Sequence, residues 1–182
     1  NMKIDLRKID KIAISHGHND HTGGIKVLFE NMESSEVQLV AHTECFEKKV
    51  CDQEFIGSSM TKEELEKVCH LKLTKSPIKL SKNITFLGEI PESNDFEKRK
   101  AIGQCYQRGE MRDDMVKDDT AIVYKSEKGL LIVTGCSHSG ICNIIEYVKV
   151  VCQEEKICGV IGGFHLFEVD EQLDKTIQYF KE

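Results

Sequence analysis

The sequence predicts one α/β domain spanning residues 1–182, in which helices cover sheets. Three observations carry this reading. Strand-like apolar runs alternate with segments of helical periodicity, the polar motifs fall at the ends of those runs, and 182 residues that are 40% hydrophobic suffice for one sizeable core. No internal repeat or low-complexity stretch interrupts the pattern.

Lys11 to Ser15 alternates apolar and other residues and runs into His16-Gly17-His18, which predicts a strand ending in a loop. Thr22-Gly23-Gly24 opens a short helix through Ile25, Leu28 and Phe29, and Val37 to Ala41 is a second strand-like run. Thr61 and Glu64 have capping-box spacing ahead of Leu65, Val68 and Leu71, so a surface helix is predicted there, with Pro77 after its end. Ile84 to Leu87 is strand-like and stops at Gly88-Glu89-Ile90-Pro91, and the polar, weakly periodic residues 92–118 are read as a long loop or lid. Ala121 to Tyr124 and Leu130 to Thr134 flank Ser126-Glu127-Lys128-Gly129, whose turn chemistry predicts a hairpin. Ile141, Ile144, Ile145, Val148 and Val151 recur at helical spacing. Gly159 to Ile161 reads as a final buried strand, and Leu173, Ile177 and Phe180 as one face of a closing helix.

Charge and composition narrow the function. A net charge of -6 argues against a broad nucleic-acid or anionic-membrane surface, because phosphate backbones are held by excess Lys and Arg. A small-molecule substrate remains, an anionic one included where a metal supplies local positive charge. No apolar run approaches the roughly 18 residues of a spanning helix, and the N-terminus lacks the apolar core of a signal peptide, so a soluble cytoplasmic protein is expected. The eight cysteines lack paired CxxC spacing in a chain too long to need stapling, and are read as reduced thiols. The chain opens at Asn1, fifteen residues before its first landmark, from which a preceding N-terminal segment is expected.

That landmark is His16-Gly17-His18-Asn19-Asp20-His21, four ligand-type side chains within six residues immediately after a strand. Imidazole and carboxylate suit zinc, iron and manganese, and a tight loop aims alternate side chains at two neighbouring points. His16 and His18 can grip one ion while Asp20 and His21 grip another. Zinc is the favoured ion, as one or two per chain, with iron and manganese as alternatives.

Ser15 to Gly24 resembles the HxHxDH signature of the metallo-β-lactamase superfamily, in which the first two histidines bind one metal and the aspartate and last histidine a second. Leu130 to Ile141, carrying Cys136 and His138, resembles the superfamily's later metal strand, and Gly162-Gly163-Phe164-His165-Leu166 its final histidine loop. The resemblance covers nearly the whole chain and implies an αββα sandwich with a dinuclear site at one edge, between the sheets. It is closest to a branch labelled β-lactamase superfamily II metal-dependent hydrolases, which includes proteins similar to dihydropterin-ribofuranosylaminobenzene-phosphate synthase. Two departures stand out. The superfamily's N-terminal strands, with an aspartate that helps orient the first loop, have no counterpart here, and Cys136 replaces the bridging aspartate of the later strand.

His138 and His165 are therefore candidate ligands, and Cys136 is either a thiolate ligand or a small buried residue. Glu89 is a missing ligand, a substrate contact or a surface turn residue. His42 and His70 are read as structural or solvent-facing, Asp118 and Asp119 as solvated loop charges or contacts from the lid, and Cys142 and Cys152 as helix and core residues. Two metals can hold a hydroxide and stabilise the oxyanion formed on its attack, with Asp20 orienting the nucleophile. Neither a GxSxG elbow nor a P-loop proposes other chemistry. The sequence thus predicts a hydrolase acting on a small phosphate-bearing or ester metabolite. The alternatives are a pterin-related synthase and a non-catalytic metal- or pterin-binding module.

Overall fold

The computed structural model describes residues 4–32, 36–107 and 109–181. The chain begins with β1 (Lys11–Ala13), α1 (Asn19–Thr22), α2 (Ile25–Glu30) and β2 (Gln38–Ala41). Next come β3 (Lys49–Cys51), β4 (Glu54–Phe55), α3 (Lys62–Leu65), β5 (His70–Leu73), β6 (Ile78–Lys79) and β7 (Ile84–Phe86). β8 (Gln104–Gln107), β9 (Glu110–Asp113), β10 (Ala121–Ser126) and β11 (Gly129–Thr134) follow, and α4 (Ile141–Cys152), β12 (Ile157–Ile161) and α5 (Glu171–Tyr179) close the chain.

The described residues form three sheets, ordered β1-β2-β5, β12-β11-β10-β7-β6 and β4-β3-β8-β9. The first is parallel throughout. The second is built on the predicted hairpin, where Ala121 pairs with Thr134 and Ser126 with Gly129. Gly129 sits at φ +125° and a Cβ there would meet the Lys156 carbonyl oxygen at 2.5 Å, so the turn requires glycine.

Alternation along the strands assigns the layers. In β2, Leu39 and Ala41 face a core with Ile25 and Phe29 of α2 and Leu65 of α3, while Val40 faces Phe86 and Leu80 on the other side. In β10, Ala121 and Val123 pack with Ile141, Ile144, Ile145 and Val148 of α4, whereas Ile122 packs toward Phe86. Helices, three-stranded sheet, five-stranded sheet and helix thus stack in that order, the αββα sandwich that the sequence implies. All eight cysteines are free, with Cys142 and Cys152 buried on α4. Among the described residues no helix is long and apolar enough to cross a membrane.

Four local expectations are corrected. Residues 92–118 are not a structureless lid: β8 and β9 pair antiparallel within them and join β3 and β4, Arg108 between the strands lying outside the described residues. Their strands are short and mostly polar because the small sheet is largely solvent-facing, which erases the apolar alternation. The predicted surface helix has its capping box, with Thr61 and Glu64 bonded reciprocally, but Leu71 lies on β5, where pairing with β2 overrides helical spacing. β12 is an edge strand with Ile161 exposed, not a buried one. On α5 the buried residue is Thr176, with Tyr179 half-buried against the α4 core, while Ile177 and Phe180 are exposed.

Candidate metal centre

The loop after β1 carries His16 and His18 inward, both buried, with His18 at the N-cap of α1. α1 then presents Asp20 and His21 from its first turn. From the far sheet, the end of β11 and the loop into α4 deliver Cys136 and His138, and the loop after β12 delivers His165.

These residues, distant in sequence, converge. Ring centroids lie 4.8 Å apart for His16 and His18, 4.2 Å for His16 and His21, 4.8 Å for His16 and His138, and 5.3 Å for His18 and His138. His21 Nε2 lies 3.1 Å from Cys136 Sγ and 3.4 Å from Asp20 Oδ2. Donor atoms of three trios each fall within 4.8 Å of one another: His16, His18 and Asp20; Asp20, His21 and Cys136; His16, Cys136 and His138. Ligands held about 2.0–2.3 Å from a tetrahedral ion lie roughly 3.3–3.8 Å apart, so the spacing suits transition metals.

Hydrogen bonding is incomplete in the same place. The Nε2 atoms of His16, His18 and His138 are buried without a hydrogen-bond partner. Ser15 Oγ lies 3.3 Å from His16 Nδ1 and 3.1 Å from His21 Nδ1, which leaves the Nε2 atoms aimed inward. A buried unpaired imidazole nitrogen is costly unless something fills its lone pair. Burial, then the neighbouring imidazoles, pushes His138 down to about 3 and His16 down as well, so both rings are neutral, as metal ligands must be. Burial, then the Asp20 and Asp119 charges, pushes the Cys136 thiol up, so without an ion it stays protonated. The donor set fits a transition metal: imidazole, thiol and carboxylate with open lone pairs.

His165 is placed differently from the other candidates. Its ring lies 4.3 Å from that of His138, but it is exposed and joins none of the three trios. Glu89 lies away from the cluster, 3.3 Å from His42 Nε2 and 3.0 Å from Lys75 Nζ, so it is a structural ion-pair residue. His42 is fully buried and structural, and His70 is exposed beside Glu36, as the sequence reading has them.

The sequence reading missed the support beneath the loop. Asp118 and Asp119, read as solvated charges or lid contacts, are buried. Asp118 Oδ2 accepts a 2.7 Å hydrogen bond from Gly17 N, and its Oδ1 takes Lys49 Nζ at 2.9 Å. Lys49 is itself 1% exposed and also donates to Asp114 Oδ2 at 2.7 Å, which lies 3.8 Å from His18 Nε2. Burial opposes charge on Lys49, but the two carboxylates overcome it and raise its pKa. Burial would likewise raise Asp114, but the nearby His18 ring and the Lys49 ammonium hold it down at about 2. Only the adjacency of two aspartates just before a strand could have signalled this.

Beside His138 and His165 opens a cavity of about 220 Å³, lined also by Lys98, Lys100, Phe164 and Phe167.

Comparison with known proteins agrees with the fold and the histidine loop. Residues 2–31, which contain the HxHxDH loop, match the Metallo-beta-lactamase superfamily profile. The chain is 37% identical over 94% of its length to an uncharacterized protein of Methanocaldococcus jannaschii. It is 35% identical over its whole length to the 7,8-dihydropterin-6-methyl-4-(beta-D-ribofuranosyl)-aminobenzene-5'-phosphate synthase of the same organism. The chain spans 64% and 65% of the lengths of those two proteins. The crystal structure of a metal-dependent hydrolase of the beta-lactamase superfamily superposes with a TM-score of 0.80 at 27% identity, over 99% of this chain and 66% of that one. Fold, histidine loop and relatives all point the same way, toward the metallo-beta-lactamase superfamily whose profile residues 2–31 match.

Proposed function

We propose that this chain carries the active site of a metal-dependent hydrolase acting on a small phosphate-bearing or ester metabolite. The observation that supports it most is the convergence of the His16, His18 and His138 rings, whose buried Nε2 atoms lack a hydrogen-bond partner, beside the Asp20, His21 and Cys136 trio. His16, His18 and His138 would hold one ion; Asp20, His21 and Cys136 would hold a second, with His165 closing the open side. Zinc suits this mixed nitrogen, sulfur and oxygen set best, with iron and manganese as alternatives. Such ions supply Lewis acidity and bring the pKa of bound water near neutrality.

The chain's own residues supply position and charge. Asp20 keeps its carboxylate 66% exposed at the end of the cluster, where it can orient an attacking water and accept its proton. Ser15 Oγ fixes the His16 and His21 rings through their Nδ1 atoms. Lys98 and Lys100 line the adjoining cavity together with Glu168 and Asp170, each lysine within ion-pair distance of a carboxylate that an anionic group would have to displace, and the Phe164 and Phe167 rings offer an apolar wall.

A second reading follows from the 35% identity to the pterin-phosphate synthase. The same centre would then act on a phosphate-bearing pterin precursor in bond formation, with the lysine-lined cavity taking the phosphate. Turnover of a phosphoester panel by the metal-loaded protein supports hydrolysis. Pterin binding at the centre with no ester turnover in that panel overturns hydrolysis in favour of the synthase or of a non-catalytic pterin-binding module.

A further inference from the structure

The segment between β9 and β10 touches both metal-bearing loops at once. Asp118 Oδ2 holds the backbone N–H of Gly17, between His16 and His18. Its neighbour Asp119 holds the opposite loop: Oδ2 accepts from Ser139 N at 2.9 Å and from Ser139 Oγ at 2.6 Å, one residue after His138. Thr120 N donates to Ser15 O at 2.9 Å, tying the same segment to the first loop again. Both aspartates are at most 1% exposed.

The segment is itself braced and strained. Lys49, from β3 of the small sheet, bonds Asp114 and Asp118 together. Asp114 Oδ1 accepts from Val116 N at 2.9 Å, and Arg99 Nη1 donates to Val116 O at 2.7 Å. Val116 is held at φ +47°, a left-handed conformation that a β-branched residue adopts only when its surroundings impose it. Ser137, between Cys136 and His138, is also left-handed at φ +58°. Burying three carboxylates and an ammonium has a large desolvation cost, and apolar residues would pack the same space without it. Asp118 and Asp119 carry bonds to the histidine loops, while Lys49 and Asp114 brace the segment that holds them.

Resting on the metal-site reading above, we propose that Asp118 and Asp119 are positioning residues that fix the spacing between the His16/His18 loop and the His138 loop, with Lys49 bracing them. Adjacent residues of one chain segment point to opposite loops, so the distance between the loops is set by a single peptide unit. Removing either grip frees one loop relative to the other and misplaces the donor atoms.

The two residues differ in a way that tests this. Asp118 accepts with both oxygens, so Asp118→Asn puts an amide donor against Gly17 N or Lys49 Nζ. Asp119 Oδ1 has no partner, so Asp119→Asn can keep its carbonyl oxygen on Ser139 while Asp119→Ala cannot. Zinc affinity by chelator competition and the cobalt(II) visible spectrum would be measured for the folded wild type, these three variants and Val148→Ala. Val148 is a buried α4 core residue, so its truncation controls for stability alone. Asp118→Asn and Asp119→Ala should each weaken zinc binding about tenfold or more and alter the cobalt spectrum. Asp119→Asn should stay close to wild type, and Val148→Ala should lower the thermal midpoint with affinity and spectrum unchanged. If Asp118→Asn does not fold, the Asp119→Ala and Asp119→Asn pair decides. Wild-type affinity and spectrum in Asp119→Ala overturns the proposal, whereas a wild type that takes up no metal overturns the site reading, and the positioning role with it.

Discussion

Asp118 Oδ2 receives the backbone N–H of Gly17 at 2.7 Å, and Gly17 approaches so closely that a Cβ on it would lie 1.8 Å from the Cys45 carbonyl oxygen. The first histidine loop is thereby pressed between the Asp118 side chain and the Cys45 backbone. Gly17→Ala must push the loop off one of them, and overpacking of this kind costs about 1–3 kcal/mol. The thermal midpoint should fall and zinc affinity should fall with it. Calorimetry and chelator competition on the purified variant check both, and an unchanged midpoint would refute the close contact.

Metal should stabilise the fold because the buried Nε2 atoms of His16, His18 and His138 lack partners without it. Zinc at about 100 times its dissociation constant should add roughly 2.7 kcal/mol. Scanning calorimetry with zinc and after chelator treatment should show the midpoint rise and fall accordingly.

The metal-free protein should lose stability in acid. Burial pushes His138 down to about 3 and lowers His16 too, whereas an unfolded chain takes up these protons below about 6.5. Between those values the unfolded state binds more protons, so stability falls as pH drops from about 6.5 and levels off above it. Asp114, held down at about 2, acts in the same sense below about 4. Burial raises Asp119 to about 6, which acts oppositely between about 4 and 6, one group against two histidines. Denaturant titrations of metal-free protein should therefore give a higher midpoint at pH about 7 than at pH about 5. Equal midpoints would contradict neutral buried rings.

Lys98 and Lys100 should matter to substrate charge. The double change to alanine should raise KM for phosphate-bearing substrates about tenfold while leaving kcat close to wild type. Steady-state kinetics on a phosphorylated substrate and its neutral ester counterpart checks this, since loss of general activity would affect both alike.

Much of this was legible in the sequence because it rested on local patterns. The HxHxDH loop needs only a strand end and a helix start, and Ala121 to Thr134 needs only a turn between two alternating runs. The small sheet was not legible, since the burial along β9 shows no alternation and its pairing with the chain around Lys49 is set at long range. For the same reason Asp118 and Asp119 read as solvated charges or lid contacts: their partners, Gly17, Lys49 and Ser139, are scattered through the sequence. The exposed setting of His165 was likewise invisible, because a glycine pair before a histidine does not say how deep the loop runs.

Elemental analysis paired with turnover decides whether His16, His18, Asp20, His21, Cys136 and His138 form a metal centre that performs the chemistry. Wild type, Asp20→Ala and His42→Ala would be loaded identically with zinc, analysed for metal and assayed on a phosphoester panel. At least about one equivalent of metal per wild-type chain is expected. Asp20→Ala should lose turnover while retaining part of its metal, and His42→Ala should lose thermal stability through its contacts with Glu89 and Glu44 yet keep its metal. Less than roughly a tenth of an equivalent in reconstituted wild type, or full turnover in Asp20→Ala at equal metal occupancy, would contradict the account.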